Sequence, residues 1–158
     1  MTLTKPAVLL ILLISVLPLS SCKNDAAKED KTEKVTPPPM PALSNQDLTA
    51  LYASTDKVDV IFYELPISVN QDDAPSAKNS VLYVSPAPAT LNASCKPSGR
   101  MSFMSNGSIY KEADIYLGTG CNYFVFMEKN QPVAINTMAE SGVEFFSTLI
   151  ARVQEKTQ

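Results

Sequence analysis

Tyr110, Glu112, Asp114 and Tyr116 are the residues of this chain whose types and spacing come nearest to chemistry. On an extended strand, alternate side chains share one face, so the four would form an aromatic–acid–acid–aromatic stripe. Such a stripe could bind a sugar, a cation or a basic peptide. The same pattern is also that of the solvated face of a half-buried strand. Glu112 and Asp114 would stand about 6–7 Å apart on successive same-face positions, which raises the paired carboxylates of a glycosidase. A small domain offers little room for the deep cleft that such a pair needs. Histidine is absent, which removes Ser-His-Asp and Cys-His nucleophile systems and every histidine metal site. No G-x-S-x-G, P-loop or dinucleotide fingerprint occurs. Gly118-Thr119-Gly120 precedes a strand rather than a helix, so these glycines serve a turn and not a phosphate. Asp72-Asp73 lacks the further oxygen ligands of a calcium loop. No cofactor and no metal are expected.

The other reactive side chains are the three cysteines, Cys22, Cys95 and Cys121. Cys22 closes the chain's first apolar run. Ala7 to Leu17 is almost wholly aliphatic, Lys5 is the one basic residue before it, and Leu19-Ser20-Ser21 leads into the cysteine. A basic start, a short apolar core and a small-residue exit have the form of a secretory signal peptide. A membrane span needs about 20 mostly apolar residues, and Pro6 and Pro18 leave fewer. With leucine three positions before the cysteine, Leu19-Ser20-Ser21-Cys22 resembles the lipobox of bacterial lipoproteins. The resemblance covers residues 1–22 alone. It implies that residues 1–21 are cleaved, that the Cys22 thiol receives a diacylglyceryl group, and that Cys22 becomes the acylated first residue. An ordinary cleaved signal, with Cys22 in a disulfide, is the alternative. Two or three acyl chains would make the anchor effectively permanent. In lipoproteins of enteric bacteria an aspartate after the cysteine favours inner-membrane retention, so Lys23 points to the outer membrane. The acids that follow loosely resemble the surface-export signals of Bacteroidota lipoproteins.

With Cys22 lipidated, Cys95 and Cys121 remain as a pair in an oxidising compartment, and a disulfide is expected between them. Two buried free thiols are the alternative, since without histidine the two make only half a zinc site.

The elements that must hold these residues can be read in order. Residues 22–42 form a lipidated N-terminus and tether. Lys23 to Lys31 has mixed charge and no apolar residue larger than alanine, too little to offset the cost of ordering. Pro37-Pro38-Pro39-Met40-Pro41 favours extended polyproline II. A globular domain is expected over 43–158. Ser44 and Asp47 make a capping-box start for a short helix to Ser54, with Leu43 stapled to Leu48 and with Leu48, Leu51 and Tyr52 facing the core. Val58 to Leu65 is a strand apolar on both faces and so inside a sheet. Asn70 to Ser76 reads as a polar loop, Ser80 to Ser85 as a strand, and Pro86 to Gly99 as irregular chain pinned by Cys95. Asn106-Gly107 favours a type I′ hairpin between Met101–Met104 and Ser108–Leu117, with Ile109, Ala113, Ile115 and Leu117 on the face opposite the tyrosine–acid stripe. Cys121 to Glu128 and Val133 to Ile135 are further strands joined through Lys129-Asn130-Gln131-Pro132. A final helix starts at one of two capping boxes, Thr137/Glu140 or Ser141/Glu144, Gly142 weakening the first. It carries Val143, Phe146, Leu149, Ile150 and Val153 on one stripe.

These elements predict an α+β fold: a single antiparallel sheet of about six short strands, a short N-terminal helix, and a C-terminal helix packed on one face. The chain has 13 basic and 16 acidic residues among 158, a net charge of −3 that becomes about −4 when Lys5 leaves with the leader. A mildly acidic chain without a basic cluster is not expected to bind nucleic acid. The expected function is a non-enzymatic binding or assembly component of the cell envelope. It would be lipid-anchored in the outer membrane, on its periplasmic or surface face, with an envelope protein or a glycan as partner. A purely structural lipoprotein and a small carboxylate-dependent hydrolase are the alternatives. Tyr110, Glu112, Asp114 and Tyr116 are the candidate contact face.

Overall fold

Residues 39–157 are described by the structure, a computed structural model, with side chains to residue 155. The expected signal peptide, Cys22 and the expected tether through residue 38 lie outside the described residues.

Ser44 opens α1 (Asn45–Ser54) with the expected capping box: its Oγ accepts from the Asp47 N–H at 3.1 Å, and Asp47 accepts from the Ser44 N–H at 3.2 Å. Leu51 is fully buried beneath this helix, and Leu48 packs at its edge. Tyr52, expected in the core, is instead 41% exposed, with the Lys78 ammonium 5.7 Å from its ring centre. A second helix, α2 (Ala74–Val81), occupies the stretch expected to be polar loop and strand. Asp73 caps it by accepting from the Ser76 N–H, and Pro75 stands in its first turn, a start favoured by a preset φ and a missing donor. The helix buries Ala77, Ser80 and Val81, residues too small or too polar to announce a stripe.

Both caps make a statement about acid. The Ser44 hydroxyl, then its N–H, hold Asp47 below its ordinary value, and the Ser76 N–H does the same for Asp73. A depressed folded-state pKa stabilises the fold above the unfolded value and is lost as the pH falls through the folded one. The Asp47→Asn/Asp73→Asn double variant, which keeps capping groups but cannot titrate, should therefore lose less stability than wild type as the pH drops below about 4. Urea midpoints at neutral and acid pH measure this. Both carboxylates are solvent-exposed, so the difference is small.

Among the described residues seven strands, one more than the about six expected, form one antiparallel sheet: β1 (Lys57–Phe62), β2 (Ser68–Gln71), β3 (Val84–Pro88), β4 (Pro97–Ser105), β5 (Ser108–Tyr116), β6 (Tyr123–Glu128) and β7 (Gln131–Met138). Their order is β2-β1-β4-β5-β6-β7-β3. β4 and β5 meet at the expected tight turn. Ser105 pairs with Ser108, and Asn106 and Gly107 sit at φ 50° and 77°, the left-handed pair a type I′ turn requires. The Asn106 N–H is also tied to the Asp56 carboxylate at 2.6 Å. Lys129 and Asn130, at φ 49° and 61°, make a second two-residue turn into β7.

The three helices of the described residues lie on one face of the sheet. Val58, Val60, Phe62, Met101, Phe103, Ala113, Ile115, Phe124 and Phe126 line that inner face, and Leu51, Ala77, Val81 and Phe146 close over it from the helices. Phe146 belongs to the last helix, α3 (Glu140–Thr157), and meets the Phe62, Tyr83 and Phe124 rings edge-on. Neither expected capping box begins α3. The Ala139 carbonyl accepts from Gly142 and Val143, while the Ala139 N–H donates to Tyr83 at 2.8 Å. Gly142 is there for proximity: a Cβ would lie 2.8 Å from that of Tyr83.

The outer face is divided. Tyr123, Val125 and Ile135, on β6 and β7, are buried beneath Met40, Ala89 and the Cys95–Cys121 pair. The covering strap is residues 89–96, joined by Met40 and Pro41, whose carbonyl accepts from Ile135 at 2.8 Å. Met40 packs with this outer cluster and Leu43 with the inner core, so the chain passes from one face to the other beside β7. Asn136 makes the passage feasible. Fully buried, it accepts from the Leu43 N–H and donates to the Ser85 carbonyl, each at 2.9 Å. The strand buried on both faces is therefore β6. β1 is buried on one face only, with Ile61 and the following Tyr63 59% and 51% exposed.

Candidate functional site

The other half of the outer face, over β1, β4 and β5, is left uncovered by the described residues, and the candidate contact residues stand on it. A bulge puts them there. Met104 pairs with Ile109 but Phe103 with Lys111, leaving Tyr110 as the extra residue of β5. Carried on unbroken from the hairpin turn, the register would set Glu112 opposite Met101 and Asp114 opposite Gly99, on the side of β4 that faces the core. The inserted Tyr110 shifts the pairing by one, so apolar Ala113 and Ile115 meet the core while Glu112 and Asp114 turn outward, opposite Ser102 and Arg100.

The expected stripe is thus altered at its end. Glu112, Asp114 and Tyr116 share the outer face. Tyr110 sits at the bulge, 44% exposed, with the Lys111 ammonium 6.0 Å from its ring centre. Ile109, expected on the core side, pairs with Met104 on the outer side and is 58% exposed.

The acids are held by neighbours. Arg100 Nε donates to Asp114 Oδ1 at 2.8 Å, and the Tyr63 hydroxyl donates to the same oxygen at 3.1 Å. Ser102 Oγ donates to Glu112 Oε1 at 3.3 Å. Tyr116 stacks on Tyr123, ring centres 4.6 Å apart, and so leans on the covered cluster. The hydrogen bond that Arg100 donates to Asp114 raises the Arg100 pKa. Partial burial, then the Asp114 charge, raises that of Tyr63; burial, then Tyr123, raises that of Tyr116. All three groups therefore keep their neutral-pH forms: a guanidinium and two phenols.

Chemically the surface offers an ion pair, hydroxyls and exposed aromatic and aliphatic side chains on a sheet face. Asp114 lies against the Arg100 guanidinium on this sheet face. Tyr63, Arg100, Ser102, Ile61 and Ile109 belong to the surface and are not among the contact residues expected from sequence. The alternation of β4 could have pointed to Arg100 and Ser102, but the bulge that sets them against the acids has no local signature.

Cys95 and Cys121 are joined as expected, their Cα atoms 5.9 Å apart. The bond ties the strap to the β5–β6 connection, where Gly118 and Gly120 serve the turn at φ 141° and 75°. Among the described residues no three acidic or cysteine side chains converge as a metal site would require. Nor is any described helix long and apolar enough to cross a membrane. A shallow apolar groove of about 610 Å³ runs between α1 and the end of α2, past Leu48, Tyr52, Leu82 and Pro86. No family model, no curated protein and no solved structure matches the chain.

Proposed function

We propose that this protein is a lipid-anchored, non-enzymatic binding or assembly component of a bacterial cell envelope, held in the outer membrane through Cys22. Its bare half-sheet is the contact surface for an envelope protein or glycan. The lipobox-like Leu19-Ser20-Ser21-Cys22 supports the anchor. One observation carries the binding role: among the described residues, one sheet face is sealed on β6–β7 by a dedicated, disulfide-tied strap, yet left open on β1–β4–β5. There Ile61 and Tyr63 are exposed beside the Arg100–Asp114 pair, and Ile109 and Tyr110 are exposed toward the hairpin end of β5. Exposed apolar and aromatic residues rimmed by polar groups mark interaction sites, and tyrosines supply large contact area with a polar tip.

The test is crosslinking in intact cells followed by pull-down, comparing wild type with Tyr63→Ala/Tyr110→Ala. This pair is cleaner than one including Tyr116, whose ring is packed on Tyr123. Recovery of a specific partner should fall about tenfold or more in the still-folded variant, the scale of aromatic contact residues. Equal recovery of the same partners from both forms would remove the face from the proposal.

A further inference from the structure

The two edges of the sheet are β2 and β3, and they are not alike. On β3, Pro86 and Pro88 have no N–H, and the Ala87 N–H is taken by Ser85 Oγ at 3.2 Å, so from 86 to 88 no donor is free to pair. Prolines are a standard means of closing an edge. β2 is short, but Ser68-Val69-Asn70-Gln71 contains neither proline nor charge, and no described element lies beyond it.

The direction of its free groups is fixed by two bonds. Tyr63 N–H donates to Ser98 on the β4 side, and Phe62 N–H donates to Ile67 on the β2 side. Main-chain groups alternate sides along an antiparallel strand, and Val60 pairs with Val69 and Val58 with Gln71. Val69 and Gln71 therefore bond β1, while the N–H and C=O groups of Ser68 and Asn70 point out of the sheet. The side chains of Ser68 and Asn70 are exposed on the outer face, beside Ile61 and Asp59, and Asn70 Nδ2 is bonded to Asp59 Oδ1.

The geometry points to β2 as the edge through which two copies of this chain join their sheets antiparallel, about a two-fold axis at Val69. In that register Ser68 of one copy lies opposite Asn70 of the other, and each pair exchanges N–H···O=C bonds in both directions. Val69 meets Val69, so inner faces continue into inner faces and outer into outer. A register slipped by one residue would set an inner-facing side chain against an outer-facing one. No charge on β2 repels its copy. A second copy is favoured over a foreign strand because the pairing is self-complementary in both register and face. It also closes: the β3 edge is blocked, so β2 cannot add to β3 of another copy and grow an open array. This inference stands apart from the binding role of the bare half-face.

The test uses the full-length chain purified without reductant. Val69→Cys places two thiols at a non-hydrogen-bonded cross-strand pair, where Cα atoms are about 4.5 Å apart, within disulfide range. Mild oxidation should convert most of it to a dimer reversed by reductant. Ser68→Pro in the same background removes an outward donor and no bond within the monomer, and should cut dimer formation at least tenfold. Sedimentation of otherwise wild-type chain with and without Ser68→Pro gives the answer independently of the cysteine: concentration-dependent dimer in the first, monomer in the second. Monomer throughout with Cys95–Cys121 intact, a dimer indifferent to Ser68→Pro, or Val69→Cys captured by a different protein in place of its own copy would each overturn the inference.

Discussion

Replacing Cys95 and Cys121 together by serine should cost the fold about 3–4 kcal/mol, the chain-entropy value for freeing a loop of this size. The bond closes residues 26 apart in sequence. The loss should exceed that of a surface crosslink, because the bonded pair belongs to the cover over Tyr123, Val125 and Ile135. Once free, residues 89–96 keep only scattered ties to the sheet, such as the Ala89 N–H on Ile135 and the Asn92 N–H on the Tyr123 hydroxyl, both at 3.4 Å. A domain of this size has a total stability of about 5–15 kcal/mol, so the variant should unfold at a markedly lower urea concentration. Fluorescence of Tyr123 and Tyr116 should change before global unfolding, as the strap opens first. An unfolding midpoint equal to wild type would mean that the strap is held without the bond.

The second large effect is expected at Asn136. Its side chain is fully buried and joins the Leu43 N–H to the Ser85 carbonyl. Asn136→Ala strands both main-chain groups without their side-chain partner, at about 1–3 kcal/mol each, for a total of about 2–6 kcal/mol. Asn136→Asp sharpens the test. It keeps the shape and the acceptor for Leu43 but sets a carboxylate oxygen against the Ser85 carbonyl in a buried place, so at neutral pH it should be at least as damaging as alanine. Denaturant midpoints measure both, and hydrogen exchange at Leu43 should accelerate in the alanine variant. An Asn136→Ala protein within about 0.5 kcal/mol of wild type would show that residues 40–43 are held by other means.

The parts of this fold that were legible in the sequence are those decided within a few residues. Asn106-Gly107 fixes a turn through its own backbone preferences, and the Ser44/Asp47 box fixes a helix start. The Phe146 stripe was visible because large apolar residues recur at helical spacing. α2 was missed because its buried side chains are Ala77, Ser80 and Val81, which give no amphipathic signal, although Asp73 and Pro75 marked its start. The Tyr110 bulge reflects a conflict between the register that the turn imposes and the one that the inner face requires. Neither side of that conflict can be weighed without knowing the partner strand. The same holds for Asn136, whose partners are 93 and 51 residues away in the chain. Of the candidate face, Glu112, Asp114 and Tyr116 could be read from alternation alone, whereas Tyr63 and Arg100 reach Asp114 only through the sheet.

The proposed function depends on the proposed anchor, since a domain free in the envelope would meet a different set of partners from one held at a membrane. Its most direct test is metabolic labelling of cells with a clickable fatty acid, followed by capture of the protein. Wild type should carry the label and partition into detergent with the membrane fraction. Cys22→Ala should carry none, while its Cys95–Cys121 bond still forms. Equal labelling of the Cys22→Ala protein, or an unlabelled wild type, would contradict the lipoprotein reading.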